Sequence, residues 1–489
     1  MIMKRSILSF ILILVSIWTQ GQTESDALNF SRSDINGTAR FMALGGAFSA
    51  LGGDATGALR NPAGLGVYRD NEFSISPMYA ERFSSGDYYG NSSTSGKGNF
   101  TIGSFSLTGV QHLNQAGKWR NTAVSFGINR AYSFHDSYSL TAQDVNSSIV
   151  DDYTNKINEL GVNWYDLQEN YPFDLYLLWQ NVLLETYPGQ PDRYYNTTGV
   201  LPVDQSYDVT VSGTKRETYL NFGSNYDDKL YLGAGIQLSN TSYEKTAVYS
   251  EYYDQTDTLT IVDEFSQGYY DEYSGRGWSG TIGAIYRPIN NLRIGLSIRT
   301  PELQNFKYVF ESDNITVAND TAYEVKSPYI LEYRFRINSP LQSTIGLAYT
   351  FQKFGLVSIE ADFIDYRMMS MRGRSDADPF TQENDAISNL LKPTVNVRAG
   401  LEYRITSFVS ARFGYAAYGN PYKSLVDNNG SFQVYSLGAG YRIDQYFFDI
   451  AYQYRTSTDR FFLYDPNLVD AATVNSIDHR IALTFGLKI

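Results

Sequence analysis

The sequence predicts an all-β, antiparallel transmembrane β-barrel of about fourteen strands, with an N-terminal segment inside the lumen and a partly helical long outer loop. Three observations predict it. Apolar and polar residues alternate with a period of two through most of the chain. Short turns alternate with long polar connections along the chain. No segment beyond the first twenty residues has an apolar run long enough for a membrane helix.

Composition narrows the function classes. The 489 residues carry 39 Lys+Arg against 52 Asp+Glu, a net charge of −13, which argues against a nucleic-acid binder that needs a basic face. There is no Cys, so thiolate catalysis, disulfides and Cys-based metal centres are excluded. The 3 histidines, His112, His135 and His479, are scattered; no metal site and no cofactor is expected, haem included. Tyrosine is abundant, at 41 residues.

In chain order, Lys4 and Arg5 precede the apolar run Ile7 to Ile17, and Thr19-Gln20-Gly21 offers a cleavage point, so residues 1–21 read as a signal peptide. Residues 22–71, rich in Gly, Ala and Asp, are too small-sided to form a core alone and precede the barrel, which spans 72–489. Strands are expected near 72–82, 97–113, 121–140, 214–226, 229–254, 277–289, 291–312, 325–352, 354–373, 392–406, 408–419, 432–445, 446–456 and 479–489. Ser339-Pro340 inside the overlong 325–352 predicts a kink, since proline cannot donate to the ladder. Long polar loops are expected at 83–96, 141–213, 255–276, 313–324, 374–391, 420–431 and 457–478, with the short turns and both termini on the other, periplasmic side.

The two faces of each strand carry the membrane argument. Val395, Val397, Leu401, Tyr403 and Ile405 oppose Asn396, Arg398, Gly400, Glu402 and Arg404. Ile481, Leu483 and Phe485 likewise oppose Arg480, Ala482 and Thr484. Small residues with scattered charges on the polar face suit a lumen, while Tyr286, Tyr349, Tyr403, Tyr418 and Tyr441 near strand ends suit interfacial girdles. Within the 141–213 insertion, Leu160, Trp164, Leu167 and Tyr171 have helical spacing, and a second apolar helix is expected over 173–184.

The N-terminal segment reads Gly37-Thr38-Ala39-Arg40-Phe41-Met42-Ala43-Leu44-Gly45-Gly46-Ala47-Phe48, then Leu51-Gly52-Gly53-Asp54-Ala55, then Asn61-Pro62-Ala63-Gly64-Leu65. It resembles the plug of the FadL-type outer-membrane transporters of long-chain fatty acids and aromatic hydrocarbons. A second similarity is Tyr286-Arg287-Pro288 followed by Leu292 to Ser297 and Arg299-Thr300-Pro301. Related sequences from Bacteroidetes-like bacteria are sometimes labelled haemin receptors. The resemblance implies a fourteen-stranded barrel in the outer membrane of a Gram-negative cell, a plug acting as a hatch, and passive uptake of a hydrophobic small molecule by a monomer with lateral release into the lipid. The outer-membrane carrier component of type IX protein secretion, which has a similar barrel and plug, is the rival. This chain departs from the outer-membrane pattern in ending on Ile489 where an aromatic residue is usual.

Candidate site residues follow in three groups, each with a plainer reading beside it. Arg40, Gly45, Gly46, Asp54, Asn61, Pro62, Ala63 and Gly64 are plug or gating residues, or simply the turn that leads into the first strand. Phe173, Leu175, Leu178, Trp179 and Leu183 capture ligand at the outer loop, or merely pack there. Arg398, Arg442 and Arg480 point into the lumen as a carboxylate clamp, or form salt bridges there with Glu402 or Asp449. Gly275-Arg276-Gly277-Trp278-Ser279-Gly280 matches G-x-G-x-x-G but has no helix behind it and is set aside. Neither G-x-S-x-G nor H-E-x-x-H occurs, which leaves a hydrolase reading without support and no enzyme activity expected.

Overall fold

The structure is a computed structural model and describes residues 23–113, 117–199, 201–253, 262–374 and 380–489. The expected signal peptide, 1–21, lies outside them.

A closed antiparallel barrel of 14 strands surrounds the N-terminal segment. In chain order the wall is β1 (Glu72–Tyr88), β2 (Asn91–His112), β3 (Trp119–Ser133, continued by Asp136–Val145), β4 (Val203–Tyr226), β5 (Leu230–Tyr252) and β6 (Val262–Ile289). Then come β7 (Leu292–Arg299 and Leu303–Ala318), β8 (Leu331–Asn338 and Gln342–Thr350) and β9 (Gly355–Asp365 and Ser370–Gly373). The remaining strands are β10 (Pro393–Arg404), β11 (Val409–Tyr418), β12 (Phe432–Ile443), β13 (Tyr446–Phe461) and β14 (Ala472–Lys488). Each strand pairs with the next, and β14 returns to β1 in the register Glu72↔Lys488. Closure removes every free edge except where a strand leaves its neighbour.

The barrel is inside-out relative to a soluble sandwich. On β10, Val395 is 47% exposed and Tyr403 53%, whereas Arg398 is 2% and Glu402 4% exposed. The same inversion holds on β14, where Ile481, Leu483 and Phe485 face outward while Arg480 and Thr484 are buried. Exposed apolar belts of this kind pay no penalty only in lipid, so the molecule is an outer-membrane barrel. Tyr286, Tyr349, Tyr403 and Tyr441 sit on the outer surface as girdle residues should. Tyr418 does not: it is buried in the lumen, stacked on Phe432 with centroids 4.0 Å apart.

Several expected loops are strand. β1 and β2 meet in the tight turn Tyr89-Gly90 instead of a loop over 83–96, β6 begins at Val262, and β7 runs to Ala318 before Asn319-Asp320 turn it into a short hairpin strand, Thr321–Lys326. Above the membrane both faces of a strand meet water, so the hydropathy alternation vanishes while the hydrogen-bond ladder continues. Asn91 to Gly98, a run of Ser, Thr, Gly and Asn around Lys97, shows this directly. β6, at 28 residues, is the extreme case, and it absorbs the G-x-G-x-x-G run entirely. The predicted kink at Ser339-Pro340 is present as the break in β8, and Thr300-Pro301 breaks β7 beside it.

The long insertion folds into a small domain over the barrel mouth. Its first helix, α4 (Ile149–Leu160), starts at Ser148, whose hydroxyl accepts from Val150 N, and stops at Gly161 in the left-handed region (φ +62°). The spacing that continued to Tyr171 is therefore split, with α5 confined to Leu167–Asn170. The expected helix 173–184 shrinks to α6 (Leu175–Gln180), because Val182 adopts φ +57° and redirects the chain. Ile149, Val150, Ile157, Leu167, Leu175, Leu178 and Leu183 form one core with Tyr249 and Phe265 from the raised strand ends and Tyr464 from the connection after β13.

Candidate functional site

The N-terminal segment, 23–68, is wedged inside the lower and middle lumen, and its backbone approaches the wall so closely that the wall needs glycine. A Cβ on Gly400 would lie 2.6 Å from Leu44 O, and one on Gly223 would lie 2.7 Å from Pro62 O. Gly233 faces Ala63 N, Gly295 faces Ser49 O and Gly414 faces Gly45 N with still less room. Gly45 and Gly46 adopt φ +61° and +75°, the turn that follows α2 (Ala39–Ala43) and that side-chain-bearing residues resist.

Charged groups then fasten this segment. Arg40 Nε donates to Glu402 at 3.0 Å, and Arg412 joins the same carboxylate at 2.8 Å while reaching Asp449 at 2.5 Å. At the end of α3 (Gly57–Arg60), Arg60 Nη2 reaches Asp362 at 2.6 Å and Glu360 at 2.9 Å. Glu360 also accepts from the backbone of Phe48 and Ser49, at 3.1 and 2.8 Å. Asp54 accepts from the Thr38 hydroxyl at 2.6 Å and from Gly57 N at 2.9 Å, closing the intervening loop. Removing one partner from such buried pairs costs about 3–5 kcal/mol.

Asn61 is the knot. Fully buried, its side-chain amide donates to Ser49 O at 2.6 Å and to the wall carbonyls of Ala284 and Leu296 at 3.2 and 3.3 Å; its Oδ1 accepts from Ala63 N at 3.1 Å. Pro62 opens the 3-10 turn Pro62–Val67, where its missing N–H costs nothing. Gly64 packs on Gly52 Cα, so a Cβ there would sit 2.8 Å away.

Around the start of this segment the lumen is aromatic. Phe30, on α1 (Glu24–Ser31), sits 4.7 Å from Phe306, 5.1 Å from Tyr273, 5.6 Å from Tyr243 and 5.7 Å from Phe134, centroid to centroid. Tyr308, Phe310, Phe335 and Phe380 extend the cluster. Beside it opens a cavity of about 380 Å³ with a largely polar lining, in which Tyr132, Phe134, Tyr138, Tyr243, Phe432 and Phe461 stand among Arg82, Lys245 and Arg455 and the carboxylates Asp26, Asp136 and Asp459. No carboxylate among the described residues bridges Lys245. Period-two spacing places Lys245 with Tyr243 and Ala247 on the inner face of β5, a signal in the sequence that the charge alone did not raise.

The predicted lumen arginines do not converge. Arg398 binds Asp362 at 2.5 Å and Glu360 at 3.0 Å, with the Tyr418 hydroxyl at 3.2 Å. Arg480 binds Asp34 at 2.6 Å and Asp478 at 2.8 Å. Arg442 lies exposed near the end of β12. Both buried arginines are thus saturated by carboxylates, Glu360, Asp362, Asp34 and Asp478, instead of the expected Glu402 and Asp449, which belong to Arg40 and Arg412.

The outer-loop group divides as well. Leu175, Leu178 and Leu183 are core residues of the loop domain. Trp179 stacks on Trp164 at 5.2 Å, and Phe173 turns inward to contact Phe310 and Tyr329 at 5.2 and 5.4 Å. Phe173 alone of the five joins the aromatic lumen.

Strand pairing lapses in places, as at Ser370–Gly373, which pair with β8 alone among the described residues, and between β2 and β3, where the β3 continuation is held to β1 and β2 by side chains, Arg82 and Ser84 on Asp136 and Ser93 on Ser139 O. β2 pairs with β3 only over Ser104–His112, and beyond Asn129 the third strand bends away at Phe134-His135 to follow β4. Among the described residues, Asn91–Gly103 pair with β1 alone. A second cavity, of only about 20 Å³, lies at this seam among Glu81, Arg82, Lys97, Asn99, His135 and Asp478; it shares Arg82 with the larger cavity.

No protein-family model and no curated protein sequence matches the chain. Solved structures do. A Pseudomonas aeruginosa FadL homologue superposes with a TM-score of 0.54 at 12% identity, covering 93% of this chain and 99% of the other. The P. putida toluene transporter TodX gives a TM-score of 0.54 at 14% identity, with the same coverage. With fourteen strands closed around its N-terminal segment, the protein has the fold of the FadL-type outer-membrane channels.

Proposed function

We propose that this protein is a passive transporter of hydrophobic small molecules, such as long-chain fatty acids or aromatic hydrocarbons, in the outer membrane of a Gram-negative cell. Ligand enters below the loop domain, where Phe173 continues into the aromatic chamber. It displaces water from the cavity beside Phe30 and leaves sideways at the seam between β2 and β3. The segment 23–68 is the hatch, with Arg40, Asp54 and the Asn61-Pro62-Ala63-Gly64 turn as its fastenings and Gly45-Gly46 as its close-packed bend.

The observation that carries this reading is the meeting, at Arg82, of the cavity beside the aromatic cluster and the stretch of β2 that has no β3 partner. A water-filled pore gives an apolar molecule nothing, whereas a cavity of about 380 Å³ that sets aromatic side chains among polar ones falls in the size range of small-molecule sites. The two solved structures are described as a FadL homologue and a toluene transporter, which accords with a hydrophobic passenger.

Cross-linking tests it cleanly, because the chain has no native Cys. Asn99 and His135 touch across the seam at 3.1 Å. A reducible bifunctional thiol reagent joining Asn99→Cys to His135→Cys should stop uptake of labelled palmitate and toluene by cells, and reduction should restore it. Uptake that continues through the cross-linked protein sinks lateral release.

A further inference from the structure

We propose that α7 (Thr381–Leu390) is a side door in the barrel wall, just above the membrane, through which an apolar passenger reaches the aromatic cluster. The proposal rests on the uptake reading above and supplies its point of entry; the exit between β2 and β3 does not depend on it. The wall needs covering at this place. β10 starts at Pro393, opposite Asp365 of β9. The upper part of β9, Ser370–Gly373, therefore has β8 on one side and no strand on the other among the described residues. α7 lies against that bare edge, and one side chain stands in for the missing strand. Asn384 Oδ1 accepts from Met371 N at 2.8 Å, and Asn384 Nδ2 donates to Met371 O at 2.9 Å. These are the two bonds that one strand residue exchanges with its antiparallel partner.

The other end of the helix is held by backbone. Leu391 bridges Tyr422, Lys392 N donates to Pro421 O at 2.8 Å, and Lys423 N donates to Leu390 O at 2.8 Å. α7 is thus hinged at its C-terminal end and latched nearer its N-terminal end by Asn384. The latched end is strained. Phe380, just before the helix, sits at φ +49°, a left-handed conformation that a bulky residue keeps only when its surroundings enforce it. What enforces it here is the cluster: the Phe380 ring lies 5.7 Å from Phe335 and 6.4 Å from Tyr333. Two hydrogen bonds and a strained residue are a weak fastening beside the continuous ladder of the wall, and such elements open first. The two faces of α7 differ as a door requires. Phe380, Ile387 and Leu391 are buried in the aromatic cluster. Gln382, Asp385, Ser388 and Asn389 are exposed. A polar outer face belongs in water, so α7 stands above the apolar band that ends on these strands near Phe363 and Val395. Swung outward about Leu391, it bares Tyr333 and Phe335 to a passenger arriving along the membrane surface.

The cysteine-free chain allows a direct test in cells. Arg372 and Asp385 are exposed and adjoin the two residues of the latch. A reducible bifunctional thiol reagent joining Arg372→Cys to Asp385→Cys should stop uptake of labelled palmitate and toluene, and reduction should restore it. Asn384→Ala should act in the opposite direction. It removes both latch bonds, so a thiol behind the helix, Ile387→Cys, should react with an impermeant maleimide on the order of tenfold faster than it does with Asn384 in place. If Ile387→Cys does not fold, hydrogen exchange over 381–390, compared between Asn384→Ala and wild type, reads the same opening. Equal reactivity, or equal exchange, with and without Asn384 overturns the latch. Uptake that continues with α7 cross-linked overturns the door; if the Asn99→Cys to His135→Cys cross-link still stops that uptake, the transport reading stands. Absence of uptake by the untreated protein overturns both.

Discussion

Replacing Asn61 by Ala should unfasten the hatch without disturbing the wall. The side chain satisfies two groups of the segment's own backbone, Ser49 O and Ala63 N, besides touching the carbonyls of Ala284 and Leu296, which keep their strand partners. Both stranded groups are buried, and each unsatisfied group costs about 1–3 kcal/mol. The sum, about 2–6 kcal/mol, falls entirely on the docked state, because a released turn regains water. At about 1.4 kcal/mol per tenfold, the undocked population should rise at least 20-fold. Planar-bilayer conductance should then show frequent openings. Trypsin should cut at Arg40 and Arg60, which the docked state shields inside the lumen, while β1–β14 remain resistant. Asn61→Ala protein with wild-type conductance and an intact 23–68 segment would refute the claim that this knot holds the hatch.

Other predictions concern the chamber and the loop domain. Phe30→Ala should cost about 3–5 kcal/mol of local stability and enlarge the aromatic chamber, read as stronger fluorescence of bound 1-N-phenylnaphthylamine; unchanged binding would place the chamber elsewhere. Leu178→Ala should cost about 2–5 kcal/mol and speed hydrogen exchange over 149–199 while sparing the strands, and equal protection would contradict the core assignment. Burial pushes the Asp174 carboxyl, at the start of α6, up to about 6, against the opposing pull of the Leu175 N–H. The folded loop therefore keeps a proton that the opened loop releases above about pH 4. Its stability should be greatest below pH 4, fall as pH rises to 6, and level off above; Asp174→Asn should flatten that slope in exchange measurements corrected for intrinsic rate.

The barrel was legible because lipid enforces a two-residue rhythm that water does not. Val395 to Tyr403 and Ile481 to Phe485 show it in full, and the inner glycines of the same strands, such as Gly400, already marked where a backbone would come close. Strand ends were less legible, since Asn91 to Gly98 has no apolar face to mark its register. The N-terminal motif was visible, but its partners were not: Glu360 and Asp362 lie about 300 residues from Arg60, and nothing local ties them to it. Arg398 and Arg480 were placed correctly inside, yet charge on an inner face does not say whether it is free. Arg130 and Lys245, which hold no carboxylate, looked like any other lumen residue.

The length of β6 sets a height. At about 3.4 Å per residue and a tilt near 40°, 28 residues rise roughly 70 Å along the barrel axis. The apolar band accounts for only about 25 Å of that. Most of the remainder stands outside the cell, so the mouth opens well clear of the lipid headgroups. A passenger arriving in a micelle, vesicle or droplet meets protein before it meets lipid. Antibodies and phage would meet the same rim first, and cross-sectional crowding by neighbouring barrels would be felt at the membrane and not at the entrance.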